Sequence, residues 1–585
     1  MKGLVIHMAW YDEAVFYHIY PLGMLGAPEK NEYKEVVHRL RELDNWIDHL
    51  KKIGVNAIYI GPLFESVGHG YETTDYRKLD SRLGDNADLT AFVKKCHDNS
   101  IRVIFDGVFN HTGRDFFAFR DILQNRENSR YRDWYCNVNF YGNNEYNDGF
   151  SYDNWGGYNL LVKLNQRNPE VRDYICDVIR FWVKEFDVDG IRLDAADVLD
   201  FEFMKALRGV ANEVKPEFWL MGEVIHGDYT RWVNEGTLHS VTNYTLHKAL
   251  YSGHNDHNYF EIAHTVQRLY EMGGNRPDGL KLYNFVDNHD VERIITKLNN
   301  KAHYYPAHIL MYTLPGVPSV YYGSEFGIEG RKEKYSDASL RPRLVYEDYK
   351  DALDSNSYTK LIARLGEIRK DALMFSYGDY KQVVLTNRQY MFIRTLNGKA
   401  GIVAVNNDDN AATVNGGGIP DGEYVGAISG KKYSVCGGNI SVEIDANSGD
   451  IILPVDMGDA FDKLEIEAPV QDTGAEKSEQ VGLTGMSEEK SEQVGLTGVG
   501  EEKSEQVGLT GMGAASKYGI DSKYEKYNPD EIRSRRDYDA MSIEELQVAI
   551  LEKMSGNGYI DNAMIRSVMD NVYADSLKNW VKSFR

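Results

Sequence analysis

Up to about residue 375, the chain alternates short strand-like runs with amphipathic helices. Eight such runs can be read: "VFYHIYP", "NAIYIGPLF", "IRVIFDGVF", "DGIRLD", "EFWLMGE", "LHSVTNY", "LKLYNFVDNHD" and "VPSVYYGSE". Parallel strands need a crossover connection, and a helix between each pair supplies it. Eight β-then-α units close the sheet on itself, so the fold class is α/β, a (β/α)8 TIM barrel. The helices carry their own punctuation. In "DNWIDHLKKIG", Trp46, Leu50 and Ile53 fall on one face and Gly54 can end the helix. In "RNPEVRDYICDVIRFW", Asn168 suits an N-cap and Pro169 the first turn.

One strand breaks the apolar rule. In "DVDGIRLDAAD", Ile191 and Leu193 belong in a core, yet Arg192 and Asp194 alternate with them. Residues two apart share a face of a strand, so a buried strand here carries an arginine beside an aspartate. Other strand ends are polar too. The third is followed by Asp106, Asn110 and His111, the fifth by Glu223, and the seventh by Asp287, His289 and Asp290. Any one of these acids alone reads as a loop cap or surface charge. In a barrel, though, the C-terminal strand ends converge on one mouth, where catalytic groups sit. Three candidate acids then meet: Asp194, Glu223 and Asp290.

Glycoside cleavage needs opposed carboxylates. One must be ionised to attack or stabilise an oxocarbenium-like centre, and the other must hold a proton for the leaving oxygen. A cation beside Asp194 favours its charged form, so Arg192 is expected to keep that residue ionised. Glu223 follows an apolar strand with no Arg or Lys adjacent in sequence, and burial is expected to raise its pKa, which suits an acid.

These segments resemble the α-amylase superfamily, glycoside hydrolase family 13, over roughly residues 10 to 455. "DGVFNH", "GIRLDAAD", "GEV" and "FVDNHD" occur in the family's order, with "GYETTDY" after the second strand and "GVPSVYYGSE" at the eighth. The resemblance implies that Asp194 is the nucleophile, Glu223 the general acid/base and Asp290 the transition-state stabiliser. It implies that Arg192, His111 and His289 contact the nucleophile or the sugar there, that Tyr71 stacks on that sugar, and that Asp106 is a structural support. It also implies retention of configuration at α-glucosidic bonds. "GEVIH" looks more like the intracellular maltodextrin-acting members than the secreted starch amylases. In calcium-binding members an Asn matching Asn110 works with acids of domain B. Here Asn165 stands where many have Asp, so no cofactor is expected to be required, a structural calcium is doubtful, and the metal ligands stay unassigned.

The remaining segments divide as follows. The catalytic barrel takes residues 10–111 and 168–375. Residues 112–167, rich in Asn, Gly, Tyr and Trp, are too long for a simple loop and correspond by resemblance to domain B. Residues 376–456 alternate short strands with Gly and Asn turns, an antiparallel β domain. Residues 457–515 contain "EKSEQVGLTG" at Glu476, Glu489 and Glu502, a period of thirteen, and read as a disordered acidic linker. Residues 516–585 read as a small helical module. In it, Ser542 and Glu545 form a capping box before "LQVAILEKM", and Trp580 and Phe584 can close a bundle. "KMSGNGYIDNAM" resembles a calcium loop in outline, but Lys553 and Met564 fall where acidic ligands belong.

Net charge is −23, from 66 basic and 89 acidic residues, which argues against nucleic acid or an anionic membrane as partner. The four cysteines have no metal or disulfide spacing. Without a signal sequence or membrane-length apolar run, the expected location is the cytoplasm. The expected partner is an α-glucan oligosaccharide substrate, with a protein partner available to the helical module. The function read from all this is a retaining glycosidase cleaving mainly α-1,4 bonds in maltodextrins or related α-glucans. Two alternatives stand beside it: a transglycosylase using the same active site, and a non-catalytic glucan-binding or scaffold protein.

Overall fold

The computed structural model describes residues 9–273, 280–334, 336–457, 524, 526–528, 532, 538 and 541–556, with side chains of the last helix as far as 552. The chain divides into two compact units, residues 1–473 and 474–585. In the first unit, eight parallel strands form one sheet. They are β1 (Phe16–Ile19), β2 (Ala57–Ile60), β3 (Arg102–Gly107), β4 (Gly190–Leu193), β5 (Trp219–Gly222), β6 (Ser240–Val241), β7 (Tyr283–Phe285) and β8 (Val317–Tyr321). Their order is β6-β5-β4-β3-β2-β1-β8-β7, and a parallel bridge from Thr242 to Tyr283 joins β6 to β7. The sheet is therefore a closed barrel, and all eight expected strands are present.

Alternation along the strands sorts the core into two layers. Phe16, Ala57, Tyr59, Ile104, Trp219, Met221 and Tyr283 pack together as one cluster inside the barrel, with Phe16 stacked on Trp219 at 5.0 Å. Their neighbours Tyr17, Ile58, Val103, Ile191 and Leu220 belong to the larger core shared with the helices. Burying both faces explains why these strands read as near-continuous apolar runs.

The helix Pro169–Phe186 starts as expected, with Asn168 accepting from Glu170 N at 2.9 Å and Pro169 in the first turn. The run around "DNWIDHLKKIG" is not one helix. A 3-10 turn, Arg39–Trp46, feeds a short α-helix, Ile47–Lys52. Trp46, Leu50 and Ile53 are still buried together. Gly54, at φ +80°, ends this helix where a Cβ would come within 2.6 Å of the Gly366 backbone, so both positions need glycine.

Between β3 and β4 the chain forms a three-stranded antiparallel sheet from His111–Thr112, Asn154–Trp155 and Tyr158–Lys163, with a helix at Phe117–Asn125. Beyond the barrel, a six-stranded antiparallel sheet orders Asp379–Leu385, Gln389–Leu396, Lys399–Asn406, Ser448–Pro454, Gly422–Gly426 and Lys432–Val435. A two-stranded ribbon, Ala412–Gly417 with Asn439–Ile444, completes this C-terminal β domain. Met391, Ile402, Val442 and Ile452 lie in its core.

In the second unit, the helix Ile543–Gly556 begins with the expected capping box. Ser542 N donates to Glu545 Oε2 at 2.8 Å, and Glu545 N donates to Ser542 Oγ at 3.2 Å. The thirteen-residue repeat, the calcium-loop-like stretch past Gly556, and Trp580 and Phe584 lie outside the described residues. Among the described residues, no helix is long and apolar enough to cross a membrane.

Candidate active site

Strand register builds the centre of the site. Asp106 on β3 sits opposite Arg192 on β4, and Met221 on β5 sits opposite Arg192 from the other side. Residues in register project to the same face, so Asp106 and Arg192 meet inside the barrel mouth. One Arg192 nitrogen, Nη1, donates to Asp106 Oδ1 at 2.8 Å and to Asp194 Oδ1 at 2.9 Å. The other, Nη2, reaches Glu223 Oε2 at 2.8 Å. Asp106 Oδ2 accepts from Tyr59 at 2.8 Å and Tyr71 at 3.2 Å. The approach is close: a Cβ on Gly61 would lie 2.3 Å from that of Asp106. Ala195, directly after Asp194, has φ +47° and donates its N–H to Glu223 Oε2 at 3.1 Å. A non-glycine residue in this region costs of order 1 kcal/mol, and here the conformation aims an N–H at the carboxyl.

The other side of the mouth comes from β7 and the loop after β8. His289 Nε2 lies 3.1 Å from Asp290 Oδ2 and bonds the Tyr71 hydroxyl. Its ring is parallel to those of Tyr71 and Tyr20, at 5.7 and 5.8 Å. Arg341 donates to His289 O at 3.0 Å and Asp290 Oδ1 at 2.9 Å. All seven residues read from the sequence are therefore gathered: Tyr71, His111, Asp194, Glu223 and Asp290 line one cleft of about 870 Å³, Arg192 joins Asp194 to Glu223, and His289 joins Tyr71 to Asp290.

Burial sets the electrostatics. It pushes Asp194 well above the usual carboxylate range and raises Glu223 as well, while Arg192 opposes both shifts. Arg192 favours the charged form of Asp194, as expected, and it does the same for Glu223 and Asp106. The guanidinium is shared among three acids, so it cannot offset the desolvation of each. Glu223 is not remote from a cation either, since β4 and β5 are neighbours although their residues are far apart in sequence. Burial lowers His111 to about 3 and His289 well below its ordinary value, so both stand neutral as hydrogen-bonding groups.

Several site residues were missed in the sequence. Tyr244 donates to Glu223 Oε1 at 3.3 Å and accepts from Asn288 Nδ2 at 3.0 Å. Its place directly after the sixth strand was a usable signal, the same one that marked the others. Asn288 lies inside "FVDNHD", and its Oδ1 accepts from Asp290 N at 2.8 Å, bracing that loop. Arg341 comes from a long loop and Trp155 from the short strand Asn154–Trp155 of the inserted sheet, and neither follows a barrel strand.

Among the described residues, no group of three His, Cys, Asp or Glu ligands converges at Asn110 or Asn165. Asn110 Oδ1 is buried without a partner, which offers one oxygen, but calcium takes six to eight. Asn165 spends its amide Nδ2 on Asp133 O at 2.9 Å. Among the described residues, the only convergent group of three His, Cys, Asp or Glu ligands is His38, Asp85 and Asp88. Those oxygens are already engaged in a capping box and in pairs with His38 and Arg41.

A closed parallel barrel with buried carboxylates gathered by one arginine at its C-terminal mouth is the arrangement that glycoside cleavage uses. Residues 39–371 match the alpha amylase catalytic domain model. The chain belongs to the α-amylase family, glycoside hydrolase family 13, and is an α-glucan glycosidase. It is 33% identical to a cyclomaltodextrinase of Thermoanaerobacter pseudethanolicus over 71% of this chain and 73% of that one. It is 28% identical to an intracellular maltogenic amylase of Bacillus subtilis, over 67% and 68%. A solved cyclomaltodextrinase shares the fold, with TM-score 0.67 and 23% identity, over 77% of this chain and 80% of that one.

Proposed function

We propose that the enzyme hydrolyses mainly α-1,4 bonds of maltodextrins, and by kinship cyclomaltodextrins, with retention of configuration. The observation that carries this reading is the single guanidinium of Arg192 joining Asp194 and Glu223 at the floor of the cleft. With the single proton of the Asp194–Glu223 pair on Glu223, a carboxylate oxygen of Asp194 attacks the anomeric carbon as Glu223 passes that proton to the departing glycosidic oxygen. The bond to the leaving sugar breaks and a glycosyl ester of Asp194 forms. Glu223, now ionised, takes a proton from water, whose oxygen attacks the same carbon and frees Asp194. Asp290, held by His289 and Arg341, faces the positive charge that develops on the ring. Asp194→Asn should abolish the covalent intermediate. Glu223→Gln should lower turnover of maltotriose by about 10²–10⁴ and spare activated aryl glucosides. Near-normal rates in either variant would falsify the assignment.

A sugar hydroxyl can replace water in the second step. Longer products from concentrated maltotriose would identify transfer as the main reaction; glucose and maltose alone identify hydrolysis.

We also assign residues 10–111 and 168–375 to catalysis, 112–167 to the cleft wall, and 457–515 to a tether carrying a partner-binding module at 516–585. The chain is placed in the cytoplasm, a reading supported by the intracellular relative. Truncation after residue 456 should leave turnover of maltotriose intact. Loss of turnover with the barrel still folded would show that the tail serves the cleft.

A further inference from the structure

The cleft does not end at the carboxylates. The helix Tyr244–Asn255 begins beside Glu223 and runs outward along the cleft wall. Residues at i, i+4 and i+7 share a helix face, and Tyr244, Lys248 and Tyr251 line the cleft in turn. At about 1.5 Å per residue, Tyr251 lies about 10 Å further along the axis than Tyr244. Two more cations line this arm: Arg268 from the helix Tyr259–Met272 and Lys297 from the helix Ile294–Lys297.

These three charges are poorly spent elsewhere. Exposed Arg268 has the exposed carboxylate of Asp228 as its acid neighbour, and its charge helps to lower that group's pKa. Lys248 and Lys297 reach Glu261 and Glu292 only at 3.3 and 3.5 Å, and neither acid lines the cleft. Long, partly exposed pairs of this kind hold a side chain weakly. Lys297 Nζ also lies 4.6 Å over the Tyr251 ring. The acids that do line the cleft are committed to other cations: Asp194 and Glu223 to Arg192, Asp290 and Asp337 to Arg341. A chain of net charge −23 thus lines one arm of its cleft with three cations, whose acid neighbours Glu261, Glu292 and Asp228 stand outside the lining. A neutral sugar gives such a field nothing to act on.

We propose that this arm binds a phosphate carried by the leaving-side sugar, so that phosphorylated maltodextrins are among the substrates. The inference rests on Glu223 being the acid. The acid faces the leaving oxygen, and the arm is the part of the cleft reached past Glu223, whereas Asp194, Tyr71, His111 and His289 surround the attacked sugar. A phosphate ester carries about −1.5 to −2 charge at pH 7 and suits an arginine with two lysines better than a carboxylate would.

The test compares maltose with maltose 6-phosphate phosphorylated on the reducing-end glucose. We expect kcat/KM to favour the phosphorylated sugar roughly tenfold at low salt, with the preference shrinking as ionic strength rises. Arg268→Gln combined with Lys297→Gln should bring the ratio close to one. Calorimetry should detect inorganic phosphate binding to the wild type and not to the double variant. Equal or lower kcat/KM for maltose 6-phosphate in the wild type overturns the proposal, as does a stronger preference for maltobionate, which carries a carboxylate. If neither sugar is cleaved while inorganic phosphate still binds in an Arg268-dependent way, the catalytic reading fails and the anion site stands.

Discussion

Arg192 reaches Glu223 at 2.8 Å with one end of its guanidinium while the other end holds Asp194 and Asp106. One planar cation therefore fixes the spacing of the two carboxylates that must cooperate. Lysine offers a point charge and cannot span the three acids. Arg192→Lys is expected to lower kcat on maltotriose by about a hundredfold, since a small misplacement of either carboxyl is costly. Arg192→Met leaves three buried acids without a cation and should destabilise the barrel by about 3–5 kcal/mol. Urea unfolding monitored by tryptophan fluorescence reads both variants, and a methionine variant as stable as wild type would contradict this account.

The raised carboxyls carry a stability cost with a definite sign. Asp194 and Glu223 are weaker acids folded than unfolded, because burial disfavours their charge. The folded state holds protons that the unfolded chain releases, so stability falls as pH rises from the unfolded values near about 4 through the raised folded values. Replacing either acid by its amide removes that cost. Asp194→Asn and Glu223→Gln should each raise Tm by a few degrees at pH 7, with the gain shrinking toward pH 4. Calorimetric scans across this range are the check, and a gain that grows toward acid pH has the wrong sign.

Tyr244 has one hydroxyl proton. Because it accepts from Asn288, that proton is directed at Glu223 Oε1. A donor aimed at a carboxyl oxygen favours the ionised form. Tyr244→Phe should therefore move the alkaline limb of kcat/KM to higher pH and lower kcat about tenfold, the low end for a bond to a charged group, given its length. An unchanged pH profile would reduce Tyr244 to a wall of the cleft.

Chelation addresses the metal. With one orphaned oxygen at Asn110 and an amide at Asn165 already engaged, activity and Tm should survive EDTA. A loss on chelation that calcium restores would locate a site around Asn110 built from groups other than Asn165.

The sequence by itself determined the barrel, because its signals are local. Apolar runs bounded by helices, Asn168 as N-cap and Ser542 with Glu545 as capping box need only neighbours along the chain, and each stands where it was read. It also marked the carboxylates, because strand ends in a barrel share one mouth. Tertiary structure decided how those carboxylates share charge. Arg192 and Glu223 are far apart along the chain, and only the β4–β5 register brings them together. The same register buries Asp194, Glu223 and Asp106 around one cation, so desolvation outweighs the attraction that adjacency in sequence suggested. Arg341, which holds Asp290, arrives from a loop with no periodic signal, and Arg268 sits on a helix whose periodicity does not say that its polar face meets the cleft. Their positions follow from packing across the barrel, a long-range consequence that no local pattern encodes.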